Sequence, residues 1–277
     1  MSYDLIAVGD VMLDGALPAP VLGGRVHGRI ELRVGGSAVN AALAAARLGA
    51  RAAVVGRVGA DAAGRLVAEE LAAAGVEPLL ARDDDEHTGS VVVVAGTSIV
   101  ADPGASARLA PDDLPERLEA GVVLVSGYSL LQQGPERAAR AALERARTDL
   151  LAVDVAAPRL VEAFGADPFF DATERAGVLL ANAAEAHALT GLPPEEAAAA
   201  LAARYRVVCV KLGRDGALAV AGTALVRAEV EPLDRTDTLG AGDSFAGGFL
   251  FALAAGADLA AALRTGCDSA AFTLRQP

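Results

Sequence analysis

The sequence predicts a doubly wound α/β protein: a mostly parallel sheet flanked by helices, with a small antiparallel β-flap serving as a lid. Three observations predict it. Short β-branched runs alternate with Ala-rich helical stretches along most of the chain, the order that builds strand–helix–strand units. Two stretches, residues 16–34 and 88–101, break that alternation with turn residues and two-residue periodicity. The chain has 277 residues, 53% hydrophobic and 22% charged, enough to bury a core without covalent staples. Residues 1–277 are therefore read as a single domain, with lid segments at about 15–34 and 88–101 inserted in it.

Taken in order, "LIAVGD" reads as a strand and "SAVNAALAAARLGA" as a helix closed by Gly49. "RAAVVGRV" is the next strand. The helix "DAAGRLVAEELAAAG" follows, with Asp61 as its N-cap. Later strands are "GVVLVSG", "DLLAVDV", "GVLLAN" and "RVVCVKLG", separated by helices near 135–147, 183–190 and 194–203. Ligands of such sheets collect at the carboxyl ends of the strands. "RIELRV" alternates as a flap strand, and "TGSVVVVAGTSIVA" reads as a hairpin.

Charge and cysteine usage exclude several classes. The net charge is 24 − 36 = −12, which argues against nucleic acid or an acidic membrane as partner. Cys209 and Cys267 form no CxxC pair, so a disulfide scaffold is not indicated. No basic segment leads into an apolar stretch at the start, and no run approaches ~18 apolar residues. A cytoplasmic location is expected. His27, His87 and His187 lack metal-ligand spacing. "GADAAGRL" begins like a phosphate-binding loop but has Arg65 and Leu66 where Lys and Ser/Thr belong.

The strongest chemical signal is "DTLGAGDSFAGGFL", residues 237–250. Gly240, Ala241 and Gly242 let backbone approach a ligand closely, and the helix that starts there aims unpaired N–H groups at it. That is an anion site. Asp243 puts a carboxylate beside it, suited to taking a proton from an attacking hydroxyl. Asp is also a preferred cap, so local chemistry leaves both roles open. Asn182 with Glu185, three residues on, likewise fits a capping box.

"DTLGAGDSF" resembles the C-terminal signature D-T-x-G-A-G-D of the ribokinase-like (PfkB) carbohydrate kinases. "GGSAVNAALAAARLG", "VVGRVGADAAG", "GDVMLD", "NAAE" and "KLGRDG" resemble further elements of that family in the same order. The resemblance implies an enzyme that moves the γ-phosphoryl of ATP to an alcohol of a sugar or sugar acid. A nucleoside acceptor is the alternative, and a non-catalytic sugar-binding protein a more distant one. It implies Asp243 as general base and Gly240, Ala241 and Gly242 as anion hole. Asp14, Gly35, Gly36 and Asn40 would line the acceptor pocket. Asn182, Lys211, Gly213, Gly216 and Cys267 would lie along ATP. Glu185 and Asn182 would organise Mg²⁺ through water, and Asp237 would mark a site for K⁺. Ser37 stands where many relatives carry Lys, and Arg25, Arg29 and Arg33 do not read as a sugar-phosphate clamp. Relatives often pair through the lid, so a homodimer is expected.

Overall fold

The computed structural model describes residues 3–17, 30–94, 98–231 and 239–276. The first half of the chain runs β1 (Tyr3–Val8), β2 (Met12–Leu17), β3 (Glu31–Gly35), α1 (Ser37–Arg47), β4 (Ala52–Gly59), α2 (Ala62–Ala73) and β5 (Val76–Asp83). It continues through β6 (Thr88–Val94), β7 (Ser98–Gly104), β8 (Leu118–Ser126), α3 (Gly127–Leu131), α4 (Glu136–Arg145), β9 (Ala146–Arg147) and β10 (Leu150–Asp154). Next come α5 (Pro158–Phe164), α6 (Ala166–Ala172), β11 (Val178–Asn182), α7 (Ala183–Thr190), α8 (Pro194–Leu201) and β12 (Val207–Lys211). The described chain closes with β13 (Ala217–Ala221), β14 (Ala224–Ala228), α9 (Ala241–Ala254) and α10 (Leu259–Arg275).

The large sheet has the order β14-β13-β12-β11-β10-β8-β1-β4-β5, and β9 pairs with β8 beside it. From β12 to β5 the pairs are parallel, while β13 and β14 add antiparallel at one edge. Residue alternation divides the core. Ile6 and Val8 point into one layer with Val123, Val153 and Leu179, and Leu5 and Ala7 point into the other with Val54, Phe245 and Phe249. Helices α4, α7 and α8 cover the first face, and α1, α2, α9 and α10 cover the second.

The flap is a second sheet, β3-β2-β6-β7. Its two outer pairings are antiparallel, and the central β2–β6 pairing is parallel. The predicted hairpin at 88–101 is β6 and β7, extended to Gly104, and the other lid segment supplies β2 and β3. Asp61 caps α2 as expected, accepting from Gly64 N at 2.7 Å. The same carboxylate accepts from Thr88 N and Oγ1 at 2.8 and 2.7 Å, which fixes the root of β6 to the main body. The predicted helix at 135–147 ends at Arg145, where Ala146 and Arg147 instead pair with β8.

Candidate active site

One cleft of about 970 Å³ lies between the carboxyl ends of the large sheet and the flap. Its lining includes Asp14, Gly36, Asn40, Asn182, Glu185, Lys211, Gly213, Gly216, Gly240, Ala241, Gly242, Asp243 and Cys267. Gly35 sits just behind, where a side chain would overlap the Asp14 carboxylate. Asp237, Arg25, Arg29 and His27 lie outside the described residues.

Local geometry explains the placements. α9 starts at Gly240 in the left-handed region (φ 73°), with no side-chain cap. A Cβ there would approach Asn40 Nδ2 to 2.8 Å, so glycine answers both a backbone and a packing demand. Asp243 does not cap the helix. Its Oδ2 accepts from Asn40 Nδ2 at 3.1 Å, across 203 residues of sequence. Burial pushes the Asp243 carboxyl up to about 6, reinforced by Asp154 and Asp10 and opposed by Lys211 and Asn40.

Asp10, which follows β1, fastens the opposite wall. Its carboxylate accepts from Ser37 N at 2.8 Å and from Ser126 Oγ at 2.9 Å. It thereby caps α1 from outside, since Gly36 has no side chain for the task. Gly36 (φ 99°) would strike the Asp10 carbonyl if it carried a Cβ.

Asn182 and Glu185 do form the capping box: Asn182 Oδ1 accepts from Glu185 N at 2.9 Å, and Glu185 accepts from Asn182 N and Nδ2. Burial pushes the Glu185 carboxyl up to about 8, with Asp154 and Asp243 adding to the rise against Lys211 and Asn182. Lys211 Nζ donates to both Asp154 oxygens at 2.7 and 2.9 Å. Burial alone would lower the Lys211 pKa, yet the carboxylates of Asp154 and Glu185 hold it above the usual lysine range. Gly213 (φ 62°) faces open space, whereas Gly216 lies tight against the Ala228 carbonyl. Cys267 is buried on α10, and burial pushes its thiol up to about 11, so it stays a thiol.

The residues sequence reasoning missed are Asp10, Ser126, Tyr128 and Asp154, all lining the cleft. Three of them end or follow a parallel strand, the position where ligands gather. That positional rule was the available signal.

Among the described residues no cluster of three His, Cys, Asp or Glu could hold a metal by itself. A sparse donor set still suits Mg²⁺, which keeps several waters and takes most of its other ligands from phosphate. Glu185 lines the cleft beside the strand ends and fits that supporting role. The arrangement brings a glycine-lined helix start, a carboxylate of raised pKa and a polar wall carrying Asp14 and Asn40 into one cleft, the kinds of parts that phosphoryl transfer uses.

Sheet, flap and cleft together define a kinase of the ribokinase fold. The sequence matches the pfkB family carbohydrate kinases over residues 4–277. It is 28% identical to 2-dehydro-3-deoxygalactonokinase of Haloferax volcanii, over 98% of this chain and 91% of that protein. It is 32% identical to ribokinase of Bacillus subtilis, over 83% of this chain and 77% of the relative. In structure it is similar to adenosine kinase from Sinorhizobium meliloti, with a TM-score of 0.89, 25% identity and coverage of 100% and 95% of the two chains. The chain belongs to the pfkB family of carbohydrate kinases.

Proposed function

We propose that this kinase transfers the γ-phosphoryl of ATP to an alcohol group of a sugar-like acceptor, with Asp243 as general base. The observation that carries the reading is the Asn40–Asp243 hydrogen bond of 3.1 Å, which joins the acceptor wall to the helix start. The acceptor hydroxyl passes its proton to Asp243, its oxygen bonds the γ-phosphorus, and the bond from that phosphorus to the β–γ bridging oxygen breaks to release ADP. Gly240, Ala241 and Gly242 present backbone N–H groups to the transferring phosphoryl. Asp14, Gly36 and Asn40 hold the acceptor, with Gly35 leaving room for Asp14. Asn182, Lys211, Gly213, Gly216 and Cys267 lie along ATP. Mg²⁺, supported through water by Glu185 and Asn182, supplies charge neutralisation at the phosphates when bound. A structure of an E. coli ribokinase II of the same fold contains ATP and Mg²⁺. Fructokinase from Vibrio cholerae has been seen with fructose, ADP and potassium, and K⁺ at Asp237 is the corresponding proposal here.

The acceptor end carries Asp10, Asp14 and Asp243, a set of carboxylates that favours an uncharged sugar over a sugar acid. A nucleoside is the second reading, favoured by the flap's aliphatic inner face. Met12 and Asp14 of β2, Val91 and Val93 of β6, and Ile99, Ala101 and Pro103 of β7 all line the cleft at alternate positions. Asp14 is beside Val91, Val91 beside Ala101, and Val93 beside Ile99. Such a wall holds the apolar part of an acceptor, while Asp14 takes a hydroxyl. We read residues 1–277 as one catalytic unit acting in the cytoplasm, with the flap closing to exclude water.

The test is ADP release with Mg-ATP over sugars, sugar acids and nucleosides, with and without K⁺. At least one acceptor should support turnover, and Asp243→Asn should lower kcat by roughly 10³-fold or more while ATP binding persists. Turnover unchanged in Asp243→Asn would remove the assigned base.

A further inference from the structure

Resting on the kinase reading above, we propose that Lys211 is a catalytic residue that meets the terminal phosphoryl group of ATP, and that Asp154 is the residue that positions it.

β10, β11 and β12 lie side by side and end at the cleft. Asp154 is the last residue of β10 and Lys211 the last of β12, with Asn182 of β11 directly opposite Lys211 in register. Both side chains of the pair are nearly enclosed, at 14% and 8% exposure, and yet both line the cleft. An ammonium has three N–H donors. Asp154 accepts from Lys211 at each of its two oxygens, and the third donor has no acceptor among the described residues.

The open side of Gly242 shows where that donor can work. The groups nearest to a Cβ built at Gly242 are Lys211 Nζ at 3.6 Å and the Cδ and Cε of the same side chain. The ammonium therefore stands beside the first N–H groups of α9, where an anion bound at the helix start would meet both. Its charge is needed there. Asp10, Asp14, Asp154, Glu185, Glu231 and Asp243 line the same cleft, so a triphosphate enters a site bordered by six carboxylates. Among the described lining residues the only cations are Lys211 and Arg214, and Lys211 is the one against the helix start.

A purely structural tie accounts for the pair poorly. Enclosing two charges costs several kcal/mol before their attraction returns any of it, and an apolar pair of similar volume stabilises a fold as well. At the carboxyl end of the strands the pair instead fixes one ammonium in one place. A lysine left free there has four side-chain torsions to order each time a phosphoryl group arrives.

The experiment compares Lys211→Met, Lys211→Arg, Asp154→Asn and the double variant Asp154→Asn/Lys211→Met, each checked for folding by circular dichroism and thermal melting. The double variant removes both charges together, so neither member of the pair is left as a buried ion without the other. Calorimetry measures binding of ATP and of AMP, and steady-state kinetics separates kcat from the KM of the acceptor. Lys211→Met should lower kcat by about 10²-fold, the usual loss for one donor to a developing anion. It should leave the acceptor KM within about threefold and weaken ATP binding about tenfold with AMP binding unchanged. Lys211→Arg should recover part of kcat. Asp154→Asn should lose less than Lys211→Met, and the double variant no more than Lys211→Met, because Asp154 acts through the lysine. A kcat within threefold of wild type in the double variant would overturn the proposal, as would equal losses of ATP and AMP binding in Lys211→Met. A wild type that phosphorylates nothing in the acceptor panel removes the kinase reading and the catalytic half of the proposal. The ATP-against-AMP contrast, with ADP added as a third ligand to separate the γ- from the β-phosphoryl, still decides whether Lys211 touches the terminal group.

Discussion

Asp243 keeps its proton to higher pH than an ordinary aspartate because it is enclosed beside Asp154 and Asp10, and Lys211 and Asn40 offset only part of that cost. With a pKa of about 6, the proton-accepting form dominates above pH 6 and is lost below it. The value of kcat/KM should then fall tenfold per pH unit on the acid side, with its bend near pH 6. Asn40 offers a test of sign. Its N–H favours the charged carboxylate, so Asn40→Leu should raise the Asp243 pKa and move the bend to higher pH by roughly half to one unit. A pH–rate profile of the variant checks this, and a bend that stays put or moves down contradicts it. The position of the bend is the readout because Asn40→Leu also disturbs acceptor binding and lowers the whole curve.

At the scale of elements, that hydrogen bond exists because α1 and α9 pack very closely. A Cβ on Gly247 would overlap the carbonyl of Ala41, one residue beyond Asn40. Gly248 meets α10 in the same way, at Ser269. In a solvated helix Gly→Ala stabilises, but Gly247→Ala should destabilise by about 1–3 kcal/mol as α9 is pushed off α1. Urea unfolding measures the loss, and activity should fall with it because Asn40 and Asp243 separate. A more stable and fully active variant would refute the packing argument. Such tight small-residue packing is local and repetitive, which is why "SAVNAALAAARLG" and "GAGDSFAGGF" were legible as helices. Other elements were not. β5 contains Pro78, which a strand tolerates at the edge of a sheet, and β5 is an edge strand. β13 and β14 are Ala-rich, a composition that favours helix until the pairing partners are known. The Asp154–Lys211 pair joins residues 57 apart through neighbouring strand ends, and no local pattern announces it. The Asn182–Glu185 box was legible because both partners lie on one helix turn.

The whole molecule sets its carboxylate-lined cleft under a flap with two unlike faces. The inner face lines the cleft and the outer face carries a row across the strands. Leu32 lies opposite Gly15, Gly15 beside Val92, and Val92 opposite Val100. Leu32 is 61% exposed and Val100 68%, with Ile30 close by at 63%. Apolar side chains lined up on one face of a thin sheet, with strands β3 and β7 at its edges, are a surface that favours a second copy of itself. We therefore expect a homodimer through the lid, as the family resemblance implied. In sedimentation velocity at micromolar concentration the wild type should run as a dimer, and Leu32→Glu/Val100→Glu as a monomer. Because both residues are exposed, the double variant should keep its melting temperature to within a few degrees of the wild type diluted until it too is monomeric. Its lid would lose the brace of the partner, so the acceptor KM should rise severalfold while Asp243, Asn40 and the helix start stay as they are. A monomeric wild type would leave the outer face without this role, and a variant that remains dimeric would place the contact elsewhere.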